Sequence, residues 1–194
     1  MNKLLSFCFK GNRSYVHGTD IVKALYHCFS LTSIDKINLK FNGITSMNLE
    51  LINGDSVPNP KVNIRVSENG QDALYQLIES GEKIECRYDY DEGSLLDKCE
   101  LDLENQKIYM NRMTGHTLCE NFIAMNKHLL QSLFPIEQGQ WLFTMLEQSV
   151  FIHDESLITV KLIKNFNFRL TKSDILLGNQ TIGSVYYTMA RSQQ

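Results

Sequence analysis

The side chain with the clearest potential for chemistry is His17, which lies in a loop immediately before a predicted helix. Backbone N–H groups at a helix N-terminus attract an anion or a polarised carbonyl oxygen. A histidine at that place could act as a general base and take a proton from a carbon atom next to a carbonyl group. The alternative is a loop histidine that only hydrogen-bonds the backbone, and the sequence leaves both interpretations open.

Two acidic residues stand at predicted helix starts, Asp20 in the first half of the chain and Glu120 in the second. His116 precedes the second helix much as His17 precedes the first. Either carboxylate could partner a histidine in acid–base chemistry. Either could instead be structural, because an acidic residue in the first turn caps a helix and complements its dipole.

Residues that could hold a ligand surround these groups. Arg13, Tyr15 and Gly18 lie on the same loop as His17, and Asn121 follows Glu120 at the start of the second helix. An arginine there could bind a phosphate, and glycine allows close approach of a ligand to the backbone. The sequence has no Gly-rich phosphate loop, nucleophile elbow or zinc-ligand spacing, so no metal is expected.

Composition excludes several classes of partner. The chain of 194 residues has a net charge of −3, and its basic residues are scattered. Binding to nucleic acid is therefore not expected. No apolar stretch approaches the roughly 18 residues of a membrane span, so membrane insertion is not expected either. The five cysteines show no C-x-x-C pair, which predicts mostly buried thiols in a reducing cytoplasm. The alternatives are a cysteine nucleophile or a zinc site.

Two segments, residues 20–29 and 120–133, have apolar side chains around most of a helical circumference. Helices of this kind are buried rather than surface-lying. The stretches between them alternate between apolar and polar residues and contain turn residues such as Asn69-Gly70, which predicts antiparallel strands. The predicted strands are 4–9, 37–41, 47–51, 62–66, 73–78, 83–88, 100–103, 107–110, 141–146, 157–163, 166–170, 173–177 and 181–189.

The order of loop, buried helix and strands occurs twice. Placing Ala24 over Ala124 aligns Asp20 with Glu120 and leaves His17 one position from His116. The pattern predicts an α+β unit with two similar halves, residues 1–93 and 94–194, joined through an acidic link at 89–94. The alternative is a single α+β domain in which two helices happen to follow loops.

This order of elements resembles the hotdog superfamily in its double form, in which each half wraps a curved antiparallel sheet around a long buried helix. The segment 15–20, Tyr-Val-His-Gly-Thr-Asp, resembles the histidine loop before the central helix of beta-hydroxyacyl-carrier-protein dehydratases. Of the His-Phe-Pro-Gly pattern of those dehydratases, only His17 and Gly18 match. The segment 168–183 is similar to the closing hairpin of hotdog domains. The A-factor biosynthesis hotdog proteins are similar in their paired build.

The resemblance implies an acyl chain delivered as a thioester of acyl carrier protein or coenzyme A. Its reaction would be that of a hydro-lyase, dehydratase or hydratase, or of a thioesterase, and none of these needs an organic cofactor. In the dehydratases the histidine and the acid come from opposite halves, which implies the pair His17 and Glu120, or alternatively His116 and Asp20. Arg13 would meet the pantetheine phosphate.

A non-enzymatic alternative stays open. The fold could serve as an acyl-ligand-binding or assembly module with a degenerate hotdog site, since a fold does not fix a function. A homo-oligomer is compatible with either interpretation.

Overall fold

The structure is a computed structural model that describes residues 2–29, 33–110, 114–135, 139–149 and 157–190. The chain divides into two compact units, unit 1 from Met1 to Asp91 and unit 2 from Glu92 to Gln194. In both units, antiparallel strands accompany a helix with a buried apolar side. Across the described ranges, no helix has both the length and the apolar character needed to cross a membrane.

Unit 1 contains one five-stranded antiparallel sheet, in the spatial order β1-β4-β6-β5-β3, and a short parallel pair of β2 with β7. Its core consists of alternate apolar residues of these strands, among them Ile37, Leu39 and Leu49, which are fully buried. Each such side chain contributes about 1.5–3 kcal/mol relative to an exposed position. The elements are β1 (Lys3–Leu5), β2 (Phe9–Lys10), α1 (Gly18–Cys28), β3 (Ile34–Phe41), β4 (Met47–Asn53), β5 (Val62–Glu68), β6 (Gln71–Lys83) and β7 (Arg87–Tyr88).

The hairpin between β5 and β6 shows why the sequence predicted its two strands and their turn. Asn69 and Gly70 have φ of 50° and 74°, and Glu68 pairs directly with Gln71 across the turn. A two-residue loop with both φ values positive matches the twist of the flanking strands, and Asn-Gly tolerates it best. This predicted turn is confirmed.

Unit 2 contains a sheet in the spatial order β10-β13-β12-β11-β9-β8, with every neighbouring pair antiparallel. Helix α3 packs against β9, β10 and β11 and buries an apolar face that includes Phe122, Met125 and Leu129. The elements are α2 (Glu92–Leu96), β8 (Cys99–Asp102), β9 (Lys107–Met110), α3 (Leu118–Leu133), β10 (Gln140–Gln148), β11 (Ile158–Asn165), β12 (Thr171–Leu177) and β13 (Gln180–Ala190).

The only tryptophan of the chain, Trp141, lies at the start of β10 and is 5% exposed. The rings of Phe134 and Phe168 lie 6.3 Å and 6.4 Å from its ring centre. The two phenylalanine rings meet edge to face at 5.2 Å, a favourable aromatic geometry. These three rings form an aromatic group within unit 2.

Two local predictions are wrong. Residues 166–170 are a turn rather than a strand, because Asn167 and Phe168 both have positive φ, which no strand accommodates. The alternation of aromatic and polar residues there suggested a strand by pattern alone. The predicted strand 4–9 is two short strands that pair with different partners, β4 and β7. The boundary between the two units, after Asp91, lies within the predicted link 89–94, and helix α2 begins there at Glu92.

The sequence predicted mostly buried thiols and did not indicate a disulfide. Cys8 and Cys86 form a disulfide within unit 1, across 78 positions of sequence. Cys28, Cys99 and Cys119 are free. A disulfide persists in oxidising surroundings and is rare in a reducing cytosol. No local spacing indicated this bond, since its two residues meet only through the pairing of β2 with β7.

Candidate active site

The loop that carries His17 is fastened at its beginning by strand β2. Phe9 pairs with Arg87 and Lys10 with Tyr88 in the parallel β2–β7 ladder, directly after the disulfide of Cys8. The N–H of Gly11 then donates to the carbonyl of Tyr88 at 2.8 Å. The chain entering the loop is therefore held by a covalent bond and by a run of backbone hydrogen bonds.

Arg87 reinforces the turn that follows. Its guanidinium donates to the carbonyls of Gly11 and Arg13, the latter at 2.9 Å, and lies 5.4 Å from the ring centre of Phe9. Gly11 has φ of +56°, a left-handed conformation that glycine adopts without steric cost. This sharp turn reverses the chain and brings it back toward helix α1.

Lys10 is the unexpected member of the site, because its side chain is 0% exposed. Its ammonium donates to Thr19 Oγ1 at 3.0 Å and lies 3.6 Å from Asp20 Oδ1. It also lies 4.0 Å from the centre of the Tyr90 ring. A buried charge is costly unless it is paired and hydrogen-bonded, and here a carboxylate, a hydroxyl and an aromatic face surround it.

His17 occupies the N-cap position of α1, where its side chain makes no capping hydrogen bond. Its Nδ1 atom lies 2.7 Å from Thr19 Oγ1 instead. The same hydroxyl oxygen thus contacts both His17 and the ammonium of Lys10. The predicted catalytic histidine is therefore at the predicted helix start, and a threonine sets the orientation of its ring.

Asp20 lies in the first turn of α1 but does not serve as a cap. The hydroxyl of Tyr88 donates to its Oδ1 at 2.8 Å, and Lys10 is its cationic neighbour. Its Oδ2 is buried and has no hydrogen-bond partner among the described residues. The Lys10 cluster, defined as Lys10, His17, Thr19, Asp20, Tyr88 and Tyr90, therefore joins an acid, a base, a hydroxyl and a cation within unit 1.

The start of helix α3 in unit 2 has another arrangement. Thr117 is the N-cap, and its hydroxyl oxygen accepts from the N–H of Glu120 at 3.2 Å. Glu120 Oε2 accepts from the N–H and from the hydroxyl of Thr117, both at 2.9 Å. This reciprocal capping box satisfies backbone donors that the helix leaves unpaired. Glu120 thus has a structural role in capping the helix, which was one of the two interpretations that the sequence allowed.

His116 and Asn121 flank this capping box. The N–H of His116 donates to Thr114 Oγ1 at 3.1 Å, and that hydroxyl donates to Asn121 Oδ1 at 2.8 Å. Asn121 is buried, and its Nδ2 has no partner among the described residues. Farther along α3, Asn126 is fully buried with both side-chain polar atoms unpartnered in the same sense. Buried amides with such atoms are rare in proteins, and they could hydrogen-bond a polar group of a ligand.

The remaining predicted ligand residues lie on the loop of unit 1. Arg13 contacts the Tyr90 ring at 5.7 Å and donates from Nη1 to the carbonyl of Lys10 at 3.5 Å. Tyr15 is partly exposed, and Gly18 is the first residue of α1. Within the described parts of the chain, the structure gathers no group of three or more metal-binding side chains.

Sequence reasoning missed Lys10 and Thr19 and took Tyr88 only as a strand end. The local pattern around Lys10 looks like the exposed end of a strand, where a lysine is ordinary. Tyr88 lies 68 positions from Asp20 in the sequence. No sequence signal would have found these residues. They are brought together by the disulfide-linked β2–β7 pair, and the sequence does not reveal that pairing.

Comparisons with known proteins identify the fold. No protein-family model matches the sequence, and no curated protein matches it. The pyran synthase domain from module nine of the sorangicin pathway is similar in structure, with a TM-score of 0.52, 8% identity and coverage of 99% of this chain and 93% of that domain. The TesB protein of Mycobacterium avium subsp. paratuberculosis has a TM-score of 0.52, 6% identity, and the same coverage of 99% and 93%. Both are hotdog proteins, so the predicted hotdog fold is confirmed.

Proposed function

We propose that this chain binds acyl groups presented as thioesters of acyl carrier protein or coenzyme A, and acts on them as a hydro-lyase or a thioesterase. The hotdog fold supports the class of ligand, since the two similar structures bear the names of a pyran synthase domain and a TesB protein. The observation that carries the proposal is the placement of His17 at the N-terminus of α1, where Thr19 and Lys10 connect its ring to the carboxylate of Asp20.

The chemistry follows from the groups at this helix start. The N–H groups of the first turn and the His17 ring would bind the carbonyl oxygen of the thioester, where negative charge develops. In hydration or dehydration, water adds to or leaves an enoyl or 3-hydroxyacyl chain with transfer of one proton at the carbon next to the carbonyl. In hydrolysis, water attacks the carbonyl carbon and the thiol leaves. Asp20 supplies the second acid–base group for either reaction.

The other predicted site residues have different roles in the proposal. Arg13, Tyr15 and Gly18 share the loop of His17 and would contact the carrier side of the thioester. The pairs His17 with Glu120 and His116 with Asp20 remain hypotheses from the family resemblance. The capping box gives Glu120 a structural role, so Asp20 is the stronger choice of acid.

The paired arrangement of the fold also belongs to the proposal. We propose that residues 1–93 and 94–194 each form one hotdog half. Asn121 would then line the ligand-binding side of the second half, because its buried amide nitrogen has no partner among the described residues.

The test is a panel of 3-hydroxyacyl, 2-enoyl and saturated acyl thioesters of coenzyme A and pantetheine, in short, medium and long chains. Absorbance of the enoyl thioester measures hydration or dehydration, and a thiol reagent measures hydrolysis. We expect His17→Ala to lower the rate by roughly 10²–10⁴-fold. Its free energy of unfolding should fall by about 1–3 kcal/mol at most, because the buried Thr19 hydroxyl loses its contact with Nδ1, and the protein should stay folded.

His27→Ala is the matched control, because His27 is an exposed residue in the last turn of the same helix. It should keep both the rate and the melting temperature. If His17→Ala keeps the full rate on a thioester that the wild-type protein converts, or if it unfolds the protein, the site assignment is wrong.

A second candidate function is non-catalytic binding of an acyl ligand. Asn126 favours it, because a fully buried amide with no partner among the described residues could hydrogen-bond a polar group of a bound ligand. The same panel separates the two functions. Thermal stabilisation by a thioester without turnover, abolished in Asn126→Leu and kept in His17→Ala, would replace the enzyme by a binding module.

A further inference from the structure

We infer that Lys10, acting through the hydroxyl of Thr19, holds the His17 ring in the tautomer that carries its proton on Nε2. Lys10 is thus a positioning residue, and His17 presents a hydrogen-bond donor rather than a general base at Nε2. The inference about the ring rests on unit 1 alone. Its consequence for the reaction deepens the proposed function and rests on it.

The first step concerns the lysine. An ammonium has three donors and no acceptor, so its contact with Thr19 Oγ1 at 3.0 Å can only be a donation to that oxygen. The surroundings fit an ammonium, because the Asp20 carboxylate lies 3.6 Å away and the face of the Tyr90 ring 4.0 Å away. One lone pair of the Thr19 hydroxyl is therefore occupied by Lys10.

The second step concerns the single proton of the Thr19 hydroxyl. Thr19 is 2% exposed, so bulk solvent does not accept this proton. The contacts of its hydroxyl among the described residues are Lys10, which only donates, and His17 Nδ1 at 2.7 Å. If His17 donated from Nδ1, the threonine proton would be buried without an acceptor, which proteins avoid. The hydroxyl therefore donates to Nδ1.

The third step concerns the imidazole. A neutral histidine has one donor nitrogen and one acceptor nitrogen, and the hydrogen bond at one nitrogen sets the state of the other. Because Nδ1 accepts from Thr19, the proton resides on Nε2. A ring in this state donates to a carbonyl oxygen and polarises it, but it cannot remove a proton through Nε2. In the proposed reaction, proton transfer at carbon or activation of water then falls to Asp20.

The test reads the tautomer directly. Long-range ¹H–¹⁵N correlation spectra of protein labelled with ¹⁵N-histidine distinguish a protonated from an unprotonated ring nitrogen, and the missing signals of His17→Gln assign His17. For the wild-type protein without any substrate, we expect an unprotonated Nδ1 and a protonated Nε2. A wild-type spectrum with the proton on Nδ1 overturns the inference, whatever the variants do.

Two variants of Thr19 show whether its hydroxyl sets the His17 tautomer or whether Thr19 only packs against the ring. The effect of Lys10 on His17 through this hydroxyl is called the relay below. Thr19→Val keeps the shape and removes the hydroxyl, so the Nδ1 signal should move to the position of an acceptor without a hydrogen bond and the tautomers should mix. Thr19→Ser keeps the hydroxyl and should give the wild-type spectrum. A valine variant with an unchanged His17 spectrum would refute the relay.

The His17 spectrum of the variant Lys10→Met tests the role of Lys10. Lys10→Met leaves the Thr19 hydroxyl free to accept from His17, so the fraction of ring with a proton on Nδ1 should rise. If Lys10→Met is folded and its His17 signals equal those of the wild-type protein, the lysine does not set the tautomer. Since these spectra need no thioester, their outcome is independent of the acyl-thioester assays. If the spectra confirm the relay and no thioester is converted, the proposed reaction is wrong and the inference about the tautomer stands.

Discussion

Helices α1 and α3 begin with the same spacing of an N-cap residue and an acid three positions later, and they use the acid in opposite ways. At α3 the pair is Thr117 and Glu120, and the two side chains satisfy each other's backbone donors. At α1 the pair is His17 and Asp20, and neither caps the helix; the acid lies beside Lys10 and Tyr88. Equal spacing in sequence therefore does not mean equal function.

The difference follows from what each N-cap residue can accept. A threonine hydroxyl accepts the N–H of the third helical residue, and a glutamate then returns the bond to the N-cap. The imidazole of His17 contacts Thr19 instead. Asp20 is then free of capping and pairs with Lys10 of strand β2. A helix start that gives up its cap loses about 1 kcal/mol. In unit 1, the disulfide and the β2–β7 pair hold the loop in compensation.

The largest effect should come from removing this covalent support. The Cys8–Cys86 bond closes a loop across 78 positions, and loop entropy then predicts a stabilisation of about 4 kcal/mol. Reduction, or the double variant Cys8→Ser with Cys86→Ser, should raise amide hydrogen exchange most in β2, β7 and the first turn of α1. Exchange at the capping box of α3 serves as the internal reference. If exchange rises equally at both helix starts, the bond does not specifically support the α1 site.

A pair of neutralising variants should have the next largest effect. Asp20→Asn leaves the buried ammonium of Lys10 without its carboxylate, and loss of one partner of a buried pair costs roughly 3 kcal/mol. Glu120→Gln keeps an acceptor for the capping box, so its cost should stay within about 0.5 kcal/mol. Denaturant unfolding of the two variants under identical conditions measures the difference. Equal costs would show that the two acids have the same structural role.

The smallest effect concerns the thiols and alkaline pH. Burial raises the pKa of Cys99 in unit 2 to about 11 from an ordinary value of 9.0. Between these values the unfolded chain ionises the thiol and the folded unit does not, so stability falls as the pH rises through this window. Cys99→Ala should flatten this part of the pH profile. A profile unchanged by Cys99→Ala would contradict the assignment.

Much of the fold could be predicted because its signals are local. The broad apolar faces predicted helices at 20–29 and 120–133, and the structure has them at Gly18–Cys28 and Leu118–Leu133. Alternation and Asn-Gly chemistry predicted the β5–β6 hairpin. The same alternation failed at 166–170, since the backbone of Asn167 and Phe168 is left-handed and no pattern of apolar residues reports that.

Only two of the six residues of the Lys10 cluster could be predicted in this way. His17 and Asp20 were visible because a helix start is a local feature with known electrostatics. Lys10 was not, because nothing in its neighbourhood distinguishes a buried lysine from an exposed one. Its burial depends on tyrosines about eighty positions later in the chain. Long-range pairings of this kind become visible only in three dimensions.

The position of Trp141 gives the two halves separate optical signatures. As the only tryptophan of the chain, it lies in unit 2 among the rings of Phe134 and Phe168. Its emission therefore reports the unfolding of unit 2. A fluorescence melt combined with a probe placed in unit 1 would show whether the halves unfold in one transition or in two, and so whether the chain unfolds as a single cooperative body.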